Sequence, residues 1–174
     1  MRFAYYDKLS RAGQQTYRKS DAIVTLGLPP GLDCGHMVDA IGEGLRIDRR
    51  ADVQSACQSL IDALTAGYRV PRVRVRVMAT RPADGTGELH GLYEPEDEGT
   101  RARISVWMRT ARKKNVVAFK TFLRTLIHEL CHHLDYELFA LEETFHTEGF
   151  YKRESTLVAA LLAQLPPRDS LTLG

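Results

Sequence analysis

Apolar residues recur at steps of three and four from Val116 to Leu138, through Phe119, Phe122, Leu123, Leu126, Ile127, Leu130, Leu134 and Leu138, with no Pro or Gly among them. That is the period of one helix face, so the spacing predicts a buried amphipathic helix. A short loop follows, and Thr147 is a suitable N-cap for a closing helix. Upstream the period changes to two. Val73, Val75 and Val77 alternate with Arg72, Arg74 and Arg76, which predicts a strand over 72–79 with one buried and one solvated face. Residues 88–93 (Glu-Leu-His-Gly-Leu-Tyr) and 102–109 (Ala-Arg-Ile-Ser-Val-Trp-Met-Arg) read as two more strands, set apart by Pro82-Ala83-Asp84-Gly85 and an acidic stretch around Pro95. Nearer the N-terminus a helical pattern runs from His36 to Ala66, interrupted near Asp48 and closed by Gly67 as a C-cap. Tyr5 to Val24 reads as an appended helix, which the Pro29-Pro30-Gly31 cluster ends. The expected fold is α+β, with residues 1–35 a helical extension and linker and 36–174 one compact domain. In that domain a small three-stranded sheet packs on the 116–138 helix and the closing helix.

Composition narrows the class. The chain has 174 residues, 44% of them apolar, enough for one well-buried core and short for two. It shows no signal-peptide pattern and no apolar run approaching ~18 residues, so the expectation is a soluble cytoplasmic protein without a membrane partner. Cys34, Cys57 and Cys131 are odd in number and fit neither a disulfide framework nor a zinc knuckle; reduced thiols are expected, Cys131 as core packing. A net charge of +2 argues for no obligatory nucleic-acid partner. The run Arg109, Arg112, Lys113 and Lys114 could nonetheless meet phosphates or acidic peptides, while Glu94, Glu96, Asp97 and Glu98 read as an exposed acidic turn.

The chemistry concentrates on the 116–138 helix. Four of the six histidines lie between Thr125 and Tyr151, and two frame His128-Glu129-Leu130-Cys131-His132. Helical positions four apart are rotated by only about 40° and rise roughly 6 Å, so both imidazoles project from one face and can share a metal ion. Glu129, one residue on, sits beside that ion, where its carboxylate can take a proton from a zinc-bound water. Such a string arises by accident in about one chain in a hundred of this composition, so its place on a long helix matters. A catalytic zinc keeps three protein ligands and one water position. His146, on the loop returning to the closing helix, is the expected third ligand; Glu154, about two turns into that helix, is the alternative, and Glu142 and Glu143 lie nearer the loop.

At these residues the sequence resembles the SprT-like zinc metalloprotease domain, which includes Spartan-related proteins. The resemblance rests on His128-Glu129-x-x-His132, then His146-x-x-x-Phe150 with Lys152 and Arg153, and extends loosely over residues 70–165. It implies His128, His132 and His146 as zinc ligands, Glu129 as general base, and a minimal zincin-like fold. It also implies that the strand bordering the cleft, here His90 to Tyr93, takes up an extended substrate, with Gly91 permitting close backbone approach. The chain departs from the family at Thr147, where a glycine is common, and the expectation is a catalytic core alone, without the C-terminal Cys-rich zinc ribbon or tail that many members carry.

The expected activity is zinc-dependent peptide hydrolysis with a protein or peptide substrate. The alternatives are a zinc-stabilised binding module without turnover, or a protease acting on DNA-bound proteins. Around the motif, His133 is expected at the surface or behind the ligands, and Asp135 shares the ligand face and could orient an imidazole. Tyr136 and Tyr151 are both candidates to stabilise a developing oxyanion.

Overall fold

The structure is a computed structural model and describes residues 3–84 and 87–167; Gly85 of the expected turn and residues 168–174 of the expected domain lie outside them. A single 3-10 turn at Tyr6–Lys8 precedes α1 (Arg11–Ala22), α2 (Gly35–Arg46) and α3 (Arg50–Tyr68). Strands β1 (Arg74–Thr80), β2 (Ala83–Asp84), β3 (Gly87–Glu88), β4 (Gly91–Glu94) and β5 (Arg103–Arg109) follow, and α4 (Phe119–Glu137) and α5 (Glu148–Ala163) complete the chain. The fold is α+β, with a mixed three-stranded sheet in the order β1-β5-β4. β1 runs parallel to β5, with Val75 opposite Ile104, and β4 runs antiparallel to it, with Gly91 opposite Val106. β2 and β3 form a separate two-residue hairpin.

Several element bounds differ from the sequence expectation for physical reasons. The 36–66 pattern is two helices, because Asp48 takes a left-handed backbone (φ 56°) between them. α3 runs past Gly67 to Tyr68, and Arg69 (φ 59°) supplies the left-handed cap expected of the glycine. α4 starts at Phe119, three residues late. Val116 bridges Arg109 and the Val117 N–H donates to the Met108 carbonyl, so the end of β5 captures both β-branched residues in extended form.

The core lies between the sheet and the helices. β5, the central strand, is buried from Ile104 to Met108, whereas β1 buries only its valines and exposes Arg74 and Arg76. α4 buries Phe122, Leu123, Leu126, Ile127, Leu130 and Leu134 against β4, β5 and α5. α1 packs on α5, where the Gly149 N–H donates to Asp21 Oδ1 at 2.9 Å. A side chain at Gly149 would place its Cβ 2.3 Å from the Asp21 carbonyl, so this contact requires glycine.

The two edges of the sheet differ. Along β1, Gln58 accepts from the Val75 N–H (2.8 Å) and donates to the Val73 carbonyl (3.1 Å). Gln54 accepts from the Val77 N–H (2.7 Å) and donates to the Val75 carbonyl (3.0 Å). Four helical residues rise about 6 Å and two strand residues about 6.6 Å, so glutamines four apart on α3 match alternate peptides of the strand. β4 forms the opposite edge, with no strand beyond it among the described residues.

Candidate metal centre and cleft

α4 presents His128 and His132 on one face, as their four-residue spacing requires. At its end Ala140 takes a left-handed backbone (φ 48°) and the Leu141 N–H returns to the Asp135 carbonyl at 2.9 Å, reversing the chain. His146 then sits immediately before α5, whose N-cap Thr147 accepts from the Phe150 N–H at 2.9 Å. The Tyr5 hydroxyl holds the loop from the other side by donating to the His146 carbonyl at 2.9 Å. Three Nε2 atoms converge as a result: His128 to His146 3.0 Å, His146 to His132 3.0 Å, and His132 to His128 3.2 Å. The three could hold a metal ion. A tetrahedral ion with bonds of 2.0–2.1 Å sets its ligands about 3.3 Å apart, close to this triangle.

Hydrogen bonding fixes which nitrogens carry protons. His128 Nδ1 meets Glu154 Oε2 at 2.7 Å, and Arg124 donates to Glu154 Oε1 at 2.7 Å. Burial would raise the Glu154 carboxyl, but the bonds from His128 and Arg124 outweigh it and hold it below the usual range. The carboxylate therefore accepts from Nδ1–H, so in the neutral ring the lone pair of His128 lies on Nε2. His132 Nδ1 lies 2.7 Å from Thr144 Oγ1, whose proton goes to Asp135 Oδ2 at 2.8 Å, so the lone pair of His132 lies on Nε2 as well. Lone pairs facing each other at 3.2 Å repel, and a cation between them removes that repulsion. Burial and the two neighbouring imidazoles push the His132 pKa down to about 3, and burial and His128 lower that of His146, which keeps both rings neutral.

Glu129 is 7% exposed. Burial pushes its carboxyl up to about 7, with His128 and the Tyr93 N–H pulling it back and Glu154 adding to the rise. β4 passes directly over it. A Cβ at Gly91 would stand 2.4 Å from Glu129 Oε1 and 2.8 Å from Thr125 Cγ2, so the close approach at Gly91 is to the chain's own carboxylate. The triad and Glu129 open into a cleft of about 750 Å³, bordered by His90 to Tyr93 on one side and by Thr125, Tyr136 and Tyr151 on the other.

Some residues sit elsewhere than expected. His133 is buried, 1% exposed: it lies 3.0 Å from the Tyr93 hydroxyl and 2.8 Å from the Pro71 carbonyl, and burial lowers its pKa. The rotation away from the ligand face that sequence implies for it leads into the core rather than to solvent. Asp135 reaches His132 only through Thr144. Glu154 orients His128 from the far side of its ring. Glu142 and Glu143 are both exposed, and Glu143 accepts from the Tyr136 hydroxyl (2.8 Å) and the Thr144 N–H (3.1 Å). Arg153 is fully buried and pairs with Asp135 at 2.6 Å. Arg109 is tied to Asp48 and to the Lys114 carbonyl, while Arg112, Lys113 and Lys114 are exposed. All three cysteines are free and buried. No helix among the described residues is long and apolar enough to cross a membrane.

Sequence reasoning missed Thr144, and it quoted Arg153 only beside Lys152 in the string that carries the resemblance, without placing it in the core. The second had a signal: Phe150, Arg153, Glu154, Leu157, Val158 and Leu161 form the buried stripe of α5, so two charges stand among its apolar positions. No protein-family description, curated protein or solved structure matches this chain.

Proposed function

We propose that the chain is a zinc-dependent metallopeptidase with a zincin-like arrangement of the SprT-like kind. One observation carries the reading: three imidazoles converge through Nε2, two of them held by hydrogen bonds at Nδ1, next to a buried carboxylate and within a cleft that borders an open strand edge. His128, His132 and His146 would hold the ion. A zinc bound there would act as a Lewis acid on the scissile carbonyl and lower the pKa of a coordinated water towards ~7.

The protein's own groups do the rest. Glu129 accepts the proton of the attacking water at its carboxylate and returns it to the departing amine nitrogen; a base poised near neutrality suits both transfers. The open edge of β4 offers backbone groups to an extended peptide, which orients the scissile bond across the cleft. Of the two tyrosines, Tyr136 has its hydroxyl committed to Glu143. Tyr151 stacks on His146 with ring centroids 5.8 Å apart, is 42% exposed, and its hydroxyl has no hydrogen-bond partner among the described residues. Tyr151 is therefore the better placed to meet a developing oxyanion. The substrate is a protein or peptide, and the reading requires no nucleic acid.

Metal analysis and hydrolysis of a quenched fluorescent peptide library test the proposal together. Wild type is expected to retain about one zinc and to cleave. Glu129→Gln is expected to retain zinc and lose activity by roughly 10²–10⁴-fold. Cleavage by Glu129→Gln at the wild-type rate would rule the mechanism out. A zinc-loaded wild type with no turnover would favour a binding module.

A further inference from the structure

The hydrogen bonds behind His132 form one continuous, mostly buried line. At its start, the Ser20 and Ile23 carbonyls at the C-terminal end of α1 accept from Arg153 Nη1 at 2.9 and 3.2 Å, and Ser20 Oγ accepts from Nη2 at 2.9 Å. Arg153 Nη2 donates to Asp135 Oδ1 at 2.6 Å, with both side chains 0% exposed. Asp135 Oδ2 accepts from Thr144 Oγ1 at 2.8 Å, and Thr144 Oγ1 meets His132 Nδ1 at 2.7 Å. With the guanidinium on one oxygen, the Asp135 carboxylate is an acceptor at the other, and Thr144 has only one proton to give. The line therefore reads in one direction.

We infer that Thr144 is the positioning residue for His132, holding the ring in the Nδ1–H tautomer with Nε2 turned into the triad, and that α1 anchors this arrangement through Arg153 and Asp135. The two helical histidines are then oriented differently. Glu154 accepts from His128 Nδ1–H directly, whereas His132 Nδ1–H donates to the Thr144 hydroxyl, which in turn donates to Asp135. A hydroxyl is suited to this place because it accepts from the ring and donates to the carboxylate at once. A methyl group there could do neither. It would leave His132 Nδ1 and Asp135 Oδ2 unpartnered and free the ring to present a protonated Nε2 to the ion.

The inference rests on the triad being a metal site, so its test reads affinity and tautomer rather than turnover. Metal-stripped wild type, Thr144→Val and Thr144→Ser are titrated with zinc against a chromophoric chelator, and the His132 ring nitrogens are followed by ¹⁵N NMR in the metal-free state. Thr144→Val is expected to bind zinc about 10–100-fold more weakly, the usual effect of losing a group that orients a ligand. Thr144→Ser is expected to stay within about threefold of wild type. Metal-free His132 is expected as the Nδ1–H tautomer in wild type and Thr144→Ser, and as a mixture in Thr144→Val. Thermal melts of the metal-free proteins check that each variant folds. Wild-type zinc affinity in Thr144→Val, equal losses in the Val and Ser variants, or an Nε2–H tautomer in wild type would overturn the inference. A wild type that binds no zinc would remove the metallopeptidase reading, while the tautomers would still decide the role of Thr144.

Discussion

Gly91 and Glu129 show how closely the site is fitted around single atoms. Only the missing side chain at Gly91 lets β4 cross above the carboxylate, and the nearest atom a methyl would meet is the movable end of Glu129. On the proposed reading, Gly91→Ala is thus expected to shift the Glu129 carboxylate without disturbing the three histidines, lowering kcat by about 10²-fold with zinc content unchanged. Peptide kinetics beside metal analysis check this, and parallel loss of both would mean the strand itself has moved. The same burial makes Glu129 a liability in the metal-free protein. Its folded pKa of about 7 lies above the ordinary 4.5, so its contribution to stability is full below that lower value and is lost as pH rises through the higher one. Metal-free Glu129→Gln should therefore gain more in melting temperature over wild type at about pH 8 than at about pH 5. An equal difference at both would show that the carboxyl is not perturbed by its surroundings.

Among the elements, α5 carries the most chemistry per turn. Neighbouring residues on a helix point about 100° apart, so Arg153 and Glu154 serve different partners: one reaches Asp135 and α1, the other His128. Removing one half of a buried ion pair typically costs about 3–5 kcal/mol, because the remaining charge is left without a partner. Arg153→Met is expected to lose stability on that scale, and Arg153→Met combined with Asp135→Leu to recover most of it in denaturant titrations. The double variant should still bind zinc weakly, since Thr144 has lost its acceptor. Full recovery of both properties would separate the ion pair from the metal centre.

Across the whole molecule, what was legible in sequence is what repeats locally. The three- and four-residue steps of α4, the alternation of β1, the Thr147 cap and the spacing of His128, Glu129 and His132 are all visible within a few turns of chain, and so is His146 on the returning loop. Unreadable were partnerships across more than a hundred residues. Arg153 beside Ser20, and Tyr5 on the His146 carbonyl, leave no periodic trace, because a donor's partner is set by tertiary packing. Residues 1–35 accordingly read as an extension, yet they contribute α1, which packs on α5, and Tyr5, which holds the loop that carries His146.

The glutamine pair on α3 also left no trace in the pattern, and its consequence concerns behaviour in solution. A strand with unpaired peptides recruits other strands, and Gln54 and Gln58 occupy those peptides on β1 with side-chain amides. The sheet can therefore be extended only at β4, the strand that borders the cleft. Gln54→Val with Gln58→Val should open the second edge and make the apparent mass in sedimentation rise with concentration, where wild type holds steady. If the double variant sediments as wild type does, other features guard that edge. If instead it self-associates, two uncharged amides set which side of the molecule meets other polypeptides, confining strand pairing to the side where a captured chain would lie against the histidines.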